Sequence, residues 1–170
     1  MGKGKLADQL GVDVEEASDI LMRFNTYAPF VRQMADTVMR SATTRGYIKT
    51  LLGRRCHFDM WEPRQYGTGR PMKYKEAMHE YNGDIKRAFV YKALNKLIQG
   101  SAADMTKKAM LDCYNASYAP LLQVHDELVF SVSDKREVEG IVKIMEAAVE
   151  LEVPNKVDAE LGKNWGDSMS

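Results

Sequence analysis

The chain has 170 residues, with 24 basic and 24 acidic side chains balancing to a net charge of zero. That length suffices for a real core, while no apolar run approaches the roughly 20 residues that a membrane span requires. Met1-Gly2-Lys3-Gly4-Lys5 lacks the apolar stretch of a signal peptide, and Cys56 and Cys113 stand alone, without a CxxC or a nearby pair of histidines. They read as reduced thiols of a cytoplasmic protein, and neither a zinc site nor a disulfide is expected.

The neutral total hides a segregation. Residues 1–39 carry four basic and six acidic side chains, residues 40–110 fifteen and six, and residues 111–170 five and twelve, for net charges of −2, +9 and −7. A middle third at +9 suits a polyanion, because Lys and Arg that neutralise phosphates release counterions. Tyr47, Trp61, Tyr66, Tyr74 and Tyr81 lie among those charges, which favours nucleic acid over a merely solvated face. The acidic final third suits cation binding or a solvated surface.

In chain order, residues 5–10 start a short helix that stops at Gly11. Asp13 and Glu16 cap a second helix, which carries Ile20, Leu21, Phe24 and Tyr27 at helical spacing. Pro29 ends it and begins a third, over residues 30–44. Tyr47 to Leu52 reads as a strand, followed by Gly53-Arg54-Arg55. Paired arginines after a glycine grip phosphate in bidentate fashion, or are surface arginines with no specific partner. Over residues 56–82, Pro63, Gly67-Thr68-Gly69 and Pro71 argue against any regular element, leaving a basic connecting loop that would guide single-stranded template or be an ordinary insertion.

From about Asp84 to Asn115 the pattern is helical, with an interruption expected at Gly100-Ser101. Tyr91, Asn95 and Gln99 fall four residues apart, a polar stripe on an otherwise apolar helix. Helix interiors disfavour Asn, so its presence asks for a reason. One is minor-groove contact, where Asn and Gln meet acceptors that every base pair presents; the other is a buried amide bridging helices.

Leu121 to Phe130 holds two short apolar strands around His125-Asp126-Glu127, the pattern of a tight antiparallel hairpin. Two carboxylates side by side repel, and a hard divalent cation such as magnesium offsets that repulsion. Asp126 is the expected direct ligand, and Glu127 an outer or occasional one. A polar turn without chemistry is the plain alternative. Asp134-Lys135-Arg136-Glu137 opens a capped helix that should run to about Leu151, Lys156 to Leu161 reads as a closing strand, and Trp165 as a packed anchor.

Four of these stretches carry a resemblance. Gln123 to Val129 resembles the third motif of the family A DNA polymerases, the bacterial DNA polymerase I type. Leu94 to Asp104 is similar to that family's helix along the primer-template minor groove, Gly46 to Arg55 to a further stretch near the template and incoming nucleotide, and Gly162-Lys163-Asn164-Trp165 to its C-terminus. The matches keep the family's order and extend from Met1 to about Trp165. The resemblance implies an α+β fold, a helix-rich body around a small antiparallel sheet. It divides the chain into a helical end of the fingers (1–45), a strand, basic loop and DNA-facing helices (46–118), and a palm hairpin with helix and closing strand (119–170).

It also implies DNA-directed DNA synthesis with two magnesium ions, Asp126 and Glu127 as metal residues and His125 as an orienting group at the primer terminus. The DNA contacts it implies are Arg54, Arg55, Asn95 and Gln99. The family usually has arginine at the position of Tyr91, so Lys92 would compensate. The family's second aspartate motif, Asp-Tyr-Ser, is absent, and Met1 to Ala7 resembles the residues just after its triphosphate-binding helix. The expected arrangement is therefore either a split polymerase of viral or mobile-element origin, inactive without an N-terminal half on a separate polypeptide, or a fragment of a longer polymerase; either would work on primer-template DNA and dNTPs. Two alternatives stay open here: a non-catalytic DNA-binding or assembly subunit, and an RNA-making relative with the same palm.

Overall fold

The computed structural model describes residues 2–65, 67 and 69–167, so Met1, Tyr66 and Thr68 lie outside the described residues. The chain forms two compact units, Met1–Ile48 with Arg55–Lys96, and Lys49–Arg54 with Leu97–Ser170. It is α+β throughout, helices with small antiparallel sheets.

In the first unit, helix α1 (Lys3–Leu10) ends at Gly11 in the left-handed conformation. Its Leu6 and Ala7 are buried with Ala17 of α2 (Val14–Tyr27), and Val12 and Leu21 pack on that cluster. The Asp13 carboxylate accepts from Glu16 N–H at 2.8 Å, as the sequence predicts for a helix start. Pro29 occupies the first turn of α3 (Pro29–Arg45), where its missing N–H costs nothing. Gly46 then closes α3 at a φ of 76°. A side chain there would be strained, and its Cβ would lie 2.8 Å from the Arg87 guanidinium.

Strands β1 (Tyr47–Lys49) and β2 (Arg55–His57) pair. The region expected to be irregular instead holds β3 (Met60–Pro63), β4 (Met72–Lys73) and α4 (Tyr74–Glu80). With β5 (Ile85–Arg87) they make a three-stranded antiparallel sheet, ordered β4-β3-β5. Trp61 organises it. The Tyr74 ring packs edge-to-face against that of Trp61, with centroids 5.1 Å apart, and the Arg87 guanidinium lies 4.5 Å over the Trp61 ring. Arg87 also donates to the carbonyls of Thr43 (3.1 Å) and Phe58 (2.9 Å), which secures the end of α3 to the sheet. Tyr81 also has partners within the protein, its O–H accepting from Arg70 N–H at 3.1 Å and donating to the Arg70 carbonyl at 3.0 Å.

The helix expected from Asp84 does not begin there. Residues 85–87 are recruited by β3, Phe89 turns left-handed at a φ of 61°, and a 3-10 turn (Val90–Lys92) leads into α5 (Ala93–Asn115). Tyr91 therefore lies ahead of the α-helix that carries Asn95 and Gln99.

Ala93–Lys96 of α5 count with the first unit and the remainder with the second. The expected break at Gly100-Ser101 is absent, and α5 runs unbroken. Ser101 O–H donates to Leu97 C=O at 2.7 Å and accepts from Leu51 N–H, so its polar group is satisfied without breaking the helix. Ala109 and Cys113 of α5 and Ile141 of α6 (Lys135–Ala147) are buried. Asp134 caps α6, accepting from the N–H groups of Arg136 and Glu137, while Glu137 reaches back to Ser133 N–H at 2.7 Å. The helix ends at Ala147, before Leu151. Residues 156–161 are not a strand: no neighbouring strand is there to pair with among the described residues, and Glu146 instead holds Lys156 Nζ (3.3 Å) and Val157 N–H (3.2 Å). Trp165, expected as an anchor, stays 44% exposed.

Candidate active site and nucleic-acid interface

The hairpin forms as predicted, from β6 (Pro120–Val124) and β7 (Glu127–Phe130). Val124 pairs with Glu127, so the loop is the two residues His125-Asp126, the shortest common hairpin connection. His125 sits at a φ of 53°, in the left-handed region that non-glycine residues adopt uncommonly and that glycine would adopt freely. Such strain costs about 1–3 kcal/mol and persists where the surroundings hold it. Gln123 contributes, its Nε2 donating to the His125 carbonyl at 3.1 Å. Leu121 bulges from the ladder between the pairs at Pro120 and Leu122.

The turn presents His125, Asp126 and Glu127 to solvent. The two carboxylates are hard oxygen donors of the type magnesium takes. Among the described residues no group of three His, Cys, Asp or Glu side chains comes together.

A second constellation was missed in the sequence. After β1 the chain turns through Thr50–Arg54, with Thr50 N–H donating to Arg54 C=O at 2.9 Å and Gly53 N–H to Thr50 C=O. This loop is stapled to α5. The Arg54 guanidinium donates from Nε to Asp104 Oδ1 at 2.7 Å and from Nη2 to the Gly100 carbonyl at 2.9 Å. The Thr50 hydroxyl donates to the other Asp104 oxygen, and Leu51 N–H reaches Ser101 Oγ at 3.0 Å. Burial pushes the Asp104 carboxyl upward, but hydrogen bonds from Thr50 and Arg54, with the charges of Arg54 and Lys107, outweigh it and hold the group below its ordinary value. A lone acidic residue in a small-residue helix stretch, Ala102-Ala103-Asp104, was the available signal, since buried carboxylates require partners.

The remaining predicted DNA contacts are displayed, not buried. Asn95 and Gln99 are one turn apart on α5 and exposed, not buried between helices of this chain. Tyr91 is 70% exposed, and Lys92 Nζ lies 5.6 Å over its ring and 5.0 Å over that of Phe89. Arg55 is exposed, with its guanidinium 4.8 Å over the Tyr47 ring. Cys56 and Cys113 are free thiols; burial, with the neighbouring charge of Asp112, pushes the Cys113 thiol up. Among the described residues no helix is long and apolar enough to cross a membrane.

Fold and hairpin together correspond to part of the polymerase domain of a DNA polymerase. A solved structure titled "POL domain of Pol1 from M. smegmatis complex with DNA primer-template and dNTP" superposes with a TM-score of 0.74 at 30% identity, over 99% of this chain and 28% of that one. Residues 1–167 match DNA polymerase family A, and the chain belongs to that family. A DNA-directed DNA polymerase of Pseudomonas phage M6 is 38% identical over 154 residues, 91% of this chain and 20% of the relative. DNA polymerase I of Geobacillus stearothermophilus is 34% identical over 173 residues, 96% of this chain and 18% of the relative. The chain thus spans about a fifth of the length of these relatives.

Proposed function

We propose that this chain supplies the C-terminal part of a DNA-directed DNA polymerase: the end of the fingers in residues 1–45, the strand, basic segment and DNA-facing helix in 46–118, and the palm hairpin in 119–170. Asp126 would hold a metal ion directly, and Glu127 beside it would be an outer or occasional ligand. Magnesium, when bound, stabilises the attacking primer 3′-hydroxyl and the departing pyrophosphate. His125, fixed by the strained turn, orients the primer terminus. Asn95 and Gln99 hold the duplex through minor-groove acceptors common to all base pairs, so grip is independent of sequence. Arg54 and Arg55 lie at the end of the loop beside the primer-template, and Tyr91 and Lys92 are further DNA contacts ahead of the helix. The observation that carries this reading is the two-residue turn His125-Asp126, entered at positive φ, which exposes two adjacent carboxylates at the tip of a hairpin.

The donor set at that turn is incomplete, so nucleotidyl transfer requires the rest of the polymerase domain, with its second aspartate and triphosphate-binding helix. That remainder lies either on a separate N-terminal polypeptide or in a preceding part of a longer chain, in a bacterial cytoplasm. Large exposed apolar side chains support a covering partner, Leu121 and Tyr114 among them at 67% and 65% exposure. The rival reading, a DNA-binding subunit without catalysis, draws on the same incomplete donor set. The experiment is primer extension with magnesium and dNTPs by this chain, by an N-terminal polymerase half, and by both together. Extension only in the mixture is expected. No extension by the mixture, despite DNA binding by this chain, would favour the rival.

A further inference from the structure

We infer that the adjacent arginines divide their roles: Arg54 is a positioning residue that fixes the loop Thr50–Gly53 beside Gln99, and Arg55 is the one of the pair that neutralises a DNA phosphate. This rests on the polymerase reading above. The basis is what each guanidinium already touches. Arg54 spends its fork on two acceptors of α5, the Asp104 carboxylate at 2.7 Å and the Gly100 carbonyl at 2.9 Å. A phosphate approaching it would meet a charge already compensated by a carboxylate whose side chain is only 7% exposed. Gly100 directly follows Gln99, and Ser101, one residue on, holds Leu51 N–H. Four bonds from the loop therefore converge on the helix segment immediately after the amide that contacts the duplex.

Arg55 differs. It forms no carboxylate ion pair among the described residues, is exposed, and has its guanidinium 4.8 Å over the Tyr47 ring. Such a cation–π contact with a ring leaves guanidinium N–H groups for bidentate phosphate contact. Tyr47 also restricts the side chain before DNA arrives, which reduces the entropy lost on binding.

The test measures affinity for a fluorescein-labelled primer-template across a salt series, with thermal melts to verify folding. Arg55→Ala should reduce the steepness of log K against log salt by about 0.9, the change for one phosphate contact. Arg54→Ala should leave the slope unchanged and lower affinity by one factor, about tenfold, at every salt concentration. Combined with Gln99→Ala, it should add no further loss, because both act through the same amide. Arg54→Lys retains the charge without the fork, so it should fail to restore affinity, whereas a phosphate contact would be rescued. It also serves where Arg54→Ala does not fold. A slope change for Arg54→Ala equal to that of Arg55→Ala, multiplying losses with Gln99→Ala, or rescue by lysine would each overturn the inference while leaving the polymerase reading intact. A folded wild-type chain that binds no primer-template would overturn both.

Discussion

Asp104→Ala perturbs the staple at its one buried charge. The substitution removes the hydrogen bond from Arg54 Nε at 2.7 Å and that from the Thr50 hydroxyl. Breaking a fully buried pair costs about 3–5 kcal/mol. Arg54 is 47% exposed and keeps the Gly100 carbonyl, and Thr50 Oγ1 remains 3.3 Å from the Arg54 carbonyl, so both partners recover part of the loss. About 2–3 kcal/mol is then expected, a fall in Tm of roughly 4–12 °C for a chain of this size. The pH dependence has a defined sign. Because the folded Asp104 carboxyl titrates below its unfolded value, its contribution is complete above that value and is lost as pH falls through the folded one, below about pH 4. Urea unfolding of wild type and Asp104→Asn over that acid range isolates the effect: wild type loses stability faster, and the two curves converge. An Asp104→Ala variant melting within about 1 °C of wild type, or parallel acid curves for wild type and Asp104→Asn, would refute the reasoning.

Gly46→Ala puts a Cβ at a φ of 76° and 2.8 Å from the Arg87 guanidinium, which also braces Thr43, Phe58 and Trp61; about 2–3 kcal/mol should be lost in chemical denaturation. Gly53→Ala, with open space at its Cβ, should lose only the conformational part, about 1 kcal/mol. Asp134→Ala removes the acceptor for two N–H groups at the start of α6 and should cost about 1 kcal/mol by the same measurement. Cys56, partly exposed, should react with a thiol reagent in the native protein, whereas Cys113, buried and with its thiol pushed up, should react only on unfolding.

What could be read in the sequence was local. The caps at Asp13 and Asp134 lie within four residues of what they bind, and the hairpin declares itself because its two apolar runs adjoin the polar turn. What could not be read depends on distant partners. Strands of two to four residues, such as β3 and β4, are too short for a period to emerge, and Trp61 finds Arg87 only through the folded register. The same limit hid β5: Phe89 in the left-handed region breaks a pattern that is helical by composition. Residues 156–161 failed in the opposite direction, having strand-like composition but no strand beside them among the described residues. Arg54 reads as a free phosphate ligand until Asp104, fifty positions on, is brought against it.

The central claim is that the carboxylate at the hairpin tip takes part in nucleotidyl transfer. Primer extension by a mixture of this chain and an N-terminal polymerase half, with Asp126→Ala replacing wild type, tests it most directly. The account predicts a rate lower by at least about a thousandfold, with primer-template affinity retained. Extension within tenfold of wild type would contradict it.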